Sequence, residues 1–320
     1  MSVVAITDYT FPSLELEEAI IRAAGAEIHA GNSKEIPKLA TLVRDADAVI
    51  TQFAPINAEV IAAMQNARVI VRYGIGVDNV DLEAAKGKGI PVCNVPDYCI
   101  DEVADHTLAF ILGMTRQVVA NTNLIHEGKW GLATPIDQMR NLRDQTVGIV
   151  GFGRIGREVA SRLAPFKCRR LVYDAFIAPD MIAKAGCESA TLETLLAQAD
   201  IVTLHCPSTA QTKKLLNADS IGRMKRGSLI VNLARGDLID TSALVAALQS
   251  GHIGGAAIDV CDPEPIPANC PLRTLPNVIA ASHIASVSPK AVKTLRETAA
   301  KLAVMALRGE TLPNIVNGVR

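Results

Sequence analysis

Aromatic residues are scarce in this sequence. Phe, Tyr and Trp together make up 3% of the 320 residues, and there is a single Trp. So few rings leave little for stacking on nucleic-acid bases. An excess of charge of either sign is also missing. Lys plus Arg is 32 and Asp plus Glu is 33, for a net charge of -1. No basic surplus exists to neutralise a phosphate backbone, which argues against nucleic acid as a primary partner. No uncharged apolar run approaches the length of a membrane span; the best, residues 107–115, is far too short, so no membrane association is expected. The first ten residues carry no basic segment and no long apolar segment, and Asp8 interrupts them, so no secretory signal is expected. The seven Cys (Cys93, Cys99, Cys168, Cys187, Cys206, Cys261 and Cys270) form no CxxC pair. An odd, scattered set reads as reduced, mostly buried thiols of a cytoplasmic protein, and it lacks the clustered ligands of a zinc site.

What is present is apolar. Hydrophobic residues are 49% and charged ones 20%, enough for a large core and inconsistent with disorder. The length leaves room for two domains at about 150 residues each. Val3–Thr7, Ala48–Thr51, Val69–Arg72, Val147–Gly151, Leu171–Asp174, Ile201–Cys206, Leu229–Leu233, Ala256–Val260 and Val278–Ala281 read as strands. They are nearly continuous in Val, Ile, Leu and Ala, as expected of parallel strands covered on both faces. Helix-length segments lie between them, including Leu14–Ala24, Ile155–Leu163, Leu192–Ala197 and Thr241–Gln249. The alternation predicts an α/β fold with parallel sheets flanked by helices. A longer helix is predicted after Asp101, with Val103, Thr107, Phe110, Ile111, Met114 and Val118 as its apolar stripe and acids in its first turn. It is placed as a connector between two lobes. A second long helix is predicted over Ser288–Arg308, returning the chain to the first lobe.

The segment Gly151-Phe152-Gly153-Arg154-Ile155-Gly156 follows a predicted strand and opens a predicted helix. This is the GxGxxG pattern in the context its chemistry needs. The first glycine permits a tight turn, the second lets backbone approach a pyrophosphate, and the third lets helix and strand pack closely. The helix N-terminus offers free N–H groups to the anion. Asp174 ends the next strand, eighteen residues past Gly156, where a carboxylate accepts from a ribose and repels a 2′-phosphate. The cofactor expected is NAD, with Arg169 and Arg170 weakening the preference over NADP slightly. A packing turn without a ligand is the plainer alternative.

Three polar groups sit at or just beyond later strand ends: Arg235 after Leu229–Leu233, Glu264 beyond Asp259, and His283 after Val278–Ala281. In an open parallel sheet, ligands lie outside the carboxyl ends of strands, so the three can converge. Taking hydrogen from an alcohol needs a base for the proton and an acceptor for the hydride. Histidine titrates near neutrality, a carboxylate orients it and stabilises its protonated form, and arginine pairs with a carboxylate and polarises a carbonyl. Taken singly, each residue is more often structural or solvated; the shared placement raises the joint reading.

The ordered set of Arg72-Tyr73-Gly74-Ile75-Gly76-Val77-Asp78-Asn79, Gly151–Gly156, His205-Cys206-Pro207, Asn232-Leu233-Ala234-Arg235-Gly236, Asp259–Pro265 and His283-Ile284-Ala285 resembles the D-isomer-specific 2-hydroxyacid dehydrogenases. That family includes phosphoglycerate dehydrogenases and glyoxylate/hydroxypyruvate reductases, and the resemblance covers nearly the whole chain. It implies two Rossmann-like lobes with a cleft between them: a discontinuous substrate domain, residues 1–99 and 291–320, and an NAD-binding domain, residues 100–290. It implies a homodimer acting on a small 2-hydroxy or 2-keto acid, with 3-phosphoglycerate, glycerate/hydroxypyruvate and glyoxylate as candidates. His283 is then the acid/base, Glu264 its partner and Arg235 the substrate-binding group. Asp259 would hold the nicotinamide carboxamide, Arg154 and Ile155 the pyrophosphate, and Asp174 the ribose. His205, Cys206, Leu233 and Ala234 would border the cofactor. Gly74, Ile75 and Gly76, flanked by Arg72 and Tyr73, would hold the substrate carboxylate on backbone N–H groups.

Residues 93–106 also resemble the C-terminal-binding-protein corepressors, which share the fold and bind NADH. An NADH-responsive binding protein with a vestigial site is therefore the second hypothesis, opposed by the intact Arg235, Glu264 and His283. No aromatic residue follows His283 as is usual in that branch. Tyr73 stands where small residues are common and predicts a narrower site mouth. Ser282 stands where Pro is frequent. Glu264 in place of Gln argues against formate dehydrogenase chemistry. The chain leaves no room for the regulatory domain of larger phosphoglycerate dehydrogenases, so serine feedback is not expected. Trp130 reads either as part of a dimer arm or as ordinary packing. His106 reads as structural, and His29, His126 and His252 as surface residues.

Overall fold

A computed structural model describes residues 1–319. The chain divides into two compact units, Met1–Tyr98 with Ser288–Arg320, and Cys99–Val287. Each is built on its own parallel sheet.

Unit 1 has strands β1 (Ser2–Ile6), β2 (Ala26–Ala30), β3 (Ala48–Thr51), β4 (Ile70–Arg72) and β5 (Val92–Cys93). They pair in the order β2-β1-β3-β4-β5, all parallel. Helices α1 (Glu15–Ala23), α2 (Ile36–Val43), α3 (Ala58–Ala63) and α4 (Leu82–Gly87) connect them. The inner strands are fully buried, which is why they read as unbroken apolar runs. One face packs against α1 and the long helix Pro289–Leu307, through Ile21, Leu295, Ala299 and Ala303. The other packs against α2 and α3 through Leu39, Val43, Val60 and Ile61. That long helix starts where Ser288 caps it, its hydroxyl accepting from Ala291 N–H, with proline at the first position, where no N–H partner is needed.

Unit 2 has β6 (Thr146–Val150), β7 (Arg169–Tyr173), β8 (Glu188–Ser189), β9 (Ile201–Leu204), β10 (Ser228–Asn232), β11 (Ile253–Ile258) and β12 (Val278–Ala280). Their order is β12-β11-β10-β9-β6-β7-β8. The strand order reverses at β6, the position at which open α/β sheets bind ligands. Its helices are α5 (Ile100–Thr115), α6 (Val118–His126), α7 (Arg154–Leu163), α8 (Pro179–Lys184), α9 (Leu192–Gln198), α10 (Ala218–Gly222) and α11 (Thr241–Gln249); the final helix of unit 1 is α12. All nine expected strands are present within a few residues.

Two expectations need correction. The long helix after Asp101 stops at Thr115: Gln117 takes a left-handed conformation with φ of 53°, and Val118 opens α6, 55% exposed, so it does not extend the buried stripe. Nor is α5 a connector, since it packs on α7, β10 and β11 as part of unit 2. Strand β11 begins at Ile253, earlier than expected, because its glycines are strand residues packed too tightly for a side chain. A Cβ on Gly254 would meet the backbone of Gly227, and one on Gly255 would meet Met114 of α5.

Candidate functional site

The glycine turn of unit 2 follows β6. Gly151 has φ of 97°, and a Cβ there would lie 2.6 Å from the carbonyl carbon of His205 and from Cys206 N. Only glycine fits. A Cβ on Gly156 would strike the carbonyl oxygen of Gly151, whereas one on Gly153 would meet nothing within 4 Å. The first and third glycines therefore serve chain packing, and the second faces open space. No group among the described residues accepts from the N–H of Gly153, Arg154 or Ile155 at the start of α7. Three donors aimed outward at a helix N-terminus fit a pyrophosphate, so the residues present fit a dinucleotide.

Asp174 follows β7. Its Oδ2 accepts from Phe152 N–H at 2.6 Å, and its Oδ1 accepts from Phe176 N–H at 2.8 Å and Ile177 N–H at 3.1 Å. The carboxylate thus ties the glycine turn to the end of β7. Arg169 and Arg170 are engaged elsewhere, Arg169 with Glu188 and Gln198, and Arg170 with the carbonyls of Ala160 and Gly186. His205 and Cys206 follow β9. The imidazole of His205 lies 2.9 Å from Thr203 Oγ1, and burial pulls it down to about 4. Burial pushes the Cys206 thiol up to about 11, leaving it unreactive near neutrality.

The ends of β10, β11 and β12 are adjacent, and they bring the polar groups together. His283 Nδ1 donates to Glu264 Oε2 at 2.9 Å, and Cys261 N–H donates to Glu264 Oε1 at 3.0 Å. Burial pushes the Glu264 carboxyl up, but the His283 bond and charge, the Cys261 N–H and the Arg235 charge outweigh it and hold the group below the usual carboxylate range. Arg235 is set by Asn232, whose side chain accepts from Ala234 N–H at 3.0 Å and donates to Arg235 O at 2.8 Å. Leu233 is buried beside it. Gly236 presses on the backbone of Cys261 with no room for a Cβ, which holds the Arg235 loop against the loop carrying Glu264.

His283 is left-handed, with φ of 58°, a conformation that costs a non-glycine residue on the order of 1 kcal/mol or more. Asp259, 2% exposed, offsets that cost. Its backbone O accepts from His283 N–H at 2.8 Å, its Oδ1 from Ile284 N–H at 2.8 Å, and its Oδ2 from Ala285 N–H at 2.9 Å. The role of Asp259 in shaping this loop was not foreseen, nor was that of Asn232. The available signal was a polar residue closing each of two apolar strands.

In unit 1, Arg72 ends β4 and its guanidinium folds over Gly74, whose φ of 146° disfavours a side chain. It also lies 5.7 Å from the centre of the Phe53 ring. The carbonyls of the loop are tied down: Gly74 O accepts from Val95 N–H at 3.0 Å, and Ile75 O from Asn94 Nδ2 at 2.6 Å. The N–H groups of Ile75 and Gly76 have no acceptor among the described residues, whereas the Gly74 N–H, expected to be a third donor, is bound to Arg72 O at 2.9 Å by the turn of the backbone. The result is a pair of backbone donors beside a cation, suited to a carboxylate. Tyr73 differs from expectation. Its ring is 1% exposed and lies in the core of unit 1, so it does not narrow the mouth of a site, and its own N–H is bound to Thr51 O at 2.8 Å.

Among the minor residues, Trp130 is 94% exposed, which removes the ordinary-packing reading within this chain. The ring of His106 packs edge-on against Phe110 at 4.5 Å. His252 is half-buried, its ring 2.9 Å from Ile221 O. No group of three or more His, Cys, Asp or Glu among the described residues could hold a metal ion, and no helix among them is long and apolar enough to cross a membrane.

A parallel sheet with a glycine turn at its switch point, and a histidine–carboxylate pair beside an arginine, defines a dinucleotide-linked dehydrogenase. Residues 108–285 match the family model of the D-isomer specific 2-hydroxyacid dehydrogenase, NAD binding domain. A glyoxylate reductase of Korarchaeum cryptofilum is 38% identical over 278 residues, covering 86% of this chain and 84% of that enzyme. A D-3-phosphoglycerate dehydrogenase of Mycobacterium tuberculosis is 34% identical over 320 residues, but the chain spans only 59% of its length. The solved structure of D-lactate dehydrogenase from Aquifex aeolicus, complexed with NAD and lactic acid, superposes with a TM-score of 0.88 at 26% identity, over 98% of this chain and 99% of that one. The chain belongs to the D-isomer-specific 2-hydroxyacid dehydrogenase family. It is an NAD-dependent oxidoreductase of D-2-hydroxy acids.

Proposed function

We propose that the chain reduces a small 2-keto acid, with glyoxylate and hydroxypyruvate as the preferred substrates and the 3-phosphoglycerate couple as the second candidate. The observation that carries this reading is the His283–Glu264 contact of 2.9 Å with the Arg235 charge acting on the same carboxylate. The order of candidates rests on the glyoxylate reductase likeness, which extends over 84% of that enzyme.

With Nδ1 held by Glu264, His283 presents Nε2 as its proton-exchanging atom. It donates a proton to the keto oxygen in reduction and takes it back in oxidation. Glu264 fixes the ring and stabilises its charged form. Arg235 would bind the substrate carboxylate and polarise the carbonyl; in unit 1, the N–H groups of Ile75 and Gly76 beside Arg72 are donors suited to a carboxylate. NAD supplies the hydride chemistry when bound. Unit 2 would hold it by the Gly151–Gly156 turn, with Arg154 and Ile155 at the pyrophosphate, Asp174 at the ribose, and the backbone of His205, Cys206, Leu233 and Ala234 along it. Asp259 would hold the carboxamide through the lone pairs its two loop bonds leave over. NAD is favoured over NADP because the Asp174 side chain would repel a 2′-phosphate and both neighbouring arginines are bound elsewhere.

A cytoplasmic homodimer is the working form. None of the seven cysteines is in a disulfide, and Val118, Ile125, Trp130, Leu132 and Ile136 of α6 and the segment after it are exposed apolar side chains in want of a covering surface. Sedimentation as a monomer at micromolar concentration would contradict this.

The test is NADH and NADPH oxidation with glyoxylate, hydroxypyruvate, pyruvate and phosphohydroxypyruvate, for the wild type and His283→Gln. Turnover should fall by about 10²–10⁴-fold in the variant, with NADH binding retained. Undiminished turnover in the variant would remove His283 from the chemistry, and no turnover on any of the four acids by the wild type would remove the function.

A further inference from the structure

Behind the Gly74–Gly76 loop lies a buried ionic network that the chemistry above does not use. Glu17 of α1 is fully buried. Arg296 of α12 grips it in bidentate fashion, Nε to Oε1 at 2.7 Å and Nη2 to Oε2 at 2.6 Å. Arg296 Nη2 also donates to Ser13 O at 2.6 Å, and its guanidinium lies 4.8 Å from the centre of the Phe11 ring. Tyr73 Oη donates to Glu17 Oε1 at 3.1 Å, and the Tyr73 ring meets Phe11 edge to face at 5.3 Å. Burial, then the Glu17 charge and hydrogen bond, push the tyrosine hydroxyl far above its ordinary value, so it stays a neutral donor.

Stability alone does not account for this arrangement. Withdrawing a carboxylate from water costs several kcal/mol, and apolar side chains of similar volume commonly do as well as a buried ion pair. What apolar side chains cannot supply is direction. The arginine fork fixes the plane of the carboxylate, and the carboxylate fixes the hydroxyl of a rigid ring. That ring belongs to the residue directly between Arg72 and Gly74. The far side of the loop is already tied by Asn94 and Val95; Tyr73 ties the near side.

We infer that Arg296, Glu17 and Tyr73 form a positioning relay that holds the backbone of Gly74–Gly76 in its anion-accepting conformation, so that the returning helix α12 helps set affinity for the substrate carboxylate. This rests on reading that loop as the carboxylate site. The three are positioning residues, since none presents its side chain to the donors of the loop. Tyr73→Phe removes one hydroxyl and keeps the ring.

The experiment measures steady-state kinetics with glyoxylate and hydroxypyruvate, NADH binding, and mass-spectrometric amide exchange across Gly74–Gly76. In Tyr73→Phe the KM for both acids should rise about tenfold with kcat within about twofold, the pattern of lost uniform binding. NADH affinity should be unchanged and exchange at the loop faster. The double variant Glu17→Gln with Arg296→Met replaces the ion pair with neutral groups and should give the same KM rise in a folded protein. Glu17→Gln alone, which keeps an acceptor for Tyr73, should give a smaller one. Variants that melt lower but keep the wild-type KM and loop exchange would overturn the relay and leave a simple clasp between α1 and α12. If the wild type reduces neither acid, the proposed function fails, while loop exchange and titration with oxalate still decide the relay.

Discussion

Asp259→Asn puts the most weight on the smallest change. The side chain keeps its size, and the backbone bond from His283 N–H to residue 259 is untouched. The carboxylate accepts from Ile284 N–H at 2.8 Å and Ala285 N–H at 2.9 Å; the amide offers one acceptor and turns its NH2 toward the other N–H. Losing one charge-assisted bond, with a buried donor set against another donor, costs about 3 kcal/mol. For a unit the size of Cys99–Val287 that lowers the melting temperature by roughly 6–12 °C. The same two bonds hold His283 at φ of 58°, and their loss lets it relax toward ordinary backbone. A misplacement of the ring by about 1 Å is enough to lower kcat by about 10²-fold. The assay pairs calorimetry with NADH-linked reduction of glyoxylate. Asp200→Asn is the control, because Asp200 also accepts a backbone N–H, from Thr146 at 2.7 Å, at the opposite end of the sheet. The control should lose stability and keep kcat. If Asp259→Asn melts lower with kcat intact, the imidazole does not depend on this carboxylate, and the account of the catalytic loop is wrong.

The glycine turn makes a paired prediction. Gly153→Ala meets open space and should fold normally while weakening NADH by about tenfold or more, as a methyl in the path of the anion requires; fluorescence titration reads it, and unchanged affinity would refute the placement of the pyrophosphate. Gly156→Ala collides with Gly151 O and should lose both stability and binding. A third prediction concerns acid. The folded protein binds a proton at His205 only near pH 4, whereas an unfolded histidine binds one near 6.5. Between those values the unfolded state holds more protons, so stability falls as pH falls, by up to about 3 kcal/mol once pH drops below 4. Urea unfolding at pH 7 and pH 4.5 should show part of this slope, and His205→Gln should remove that part; an equal slope in the variant would place the titration elsewhere.

The inner strands were legible because burial on both faces leaves unbroken apolar runs, as in Ile201–Leu204 and Ser228–Asn232. The missed strands are those for which that reasoning fails. β2 is an edge strand in which Glu27, His29 and Ala30 are exposed, and β5 and β8 are only two residues long. The break between α5 and α6 was illegible because Gln117 carries no turn signature; its left-handed backbone separates a buried helix from one that buries nothing. At the site, the rule about strand ends anticipated that groups after β10, β11 and β12 would meet, since those strands are neighbours. It could not say that Tyr73, a loop residue in sequence, would bury its ring and reach Glu17, because nothing local links positions 17, 73 and 296. Composition and periodicity report which side chains leave water. They do not report which buried polar atoms find one another, and in this chain those pairings, Asp259 with the backbone after His283 and Glu17 with Tyr73, tie down the loops that carry His283 and Gly74.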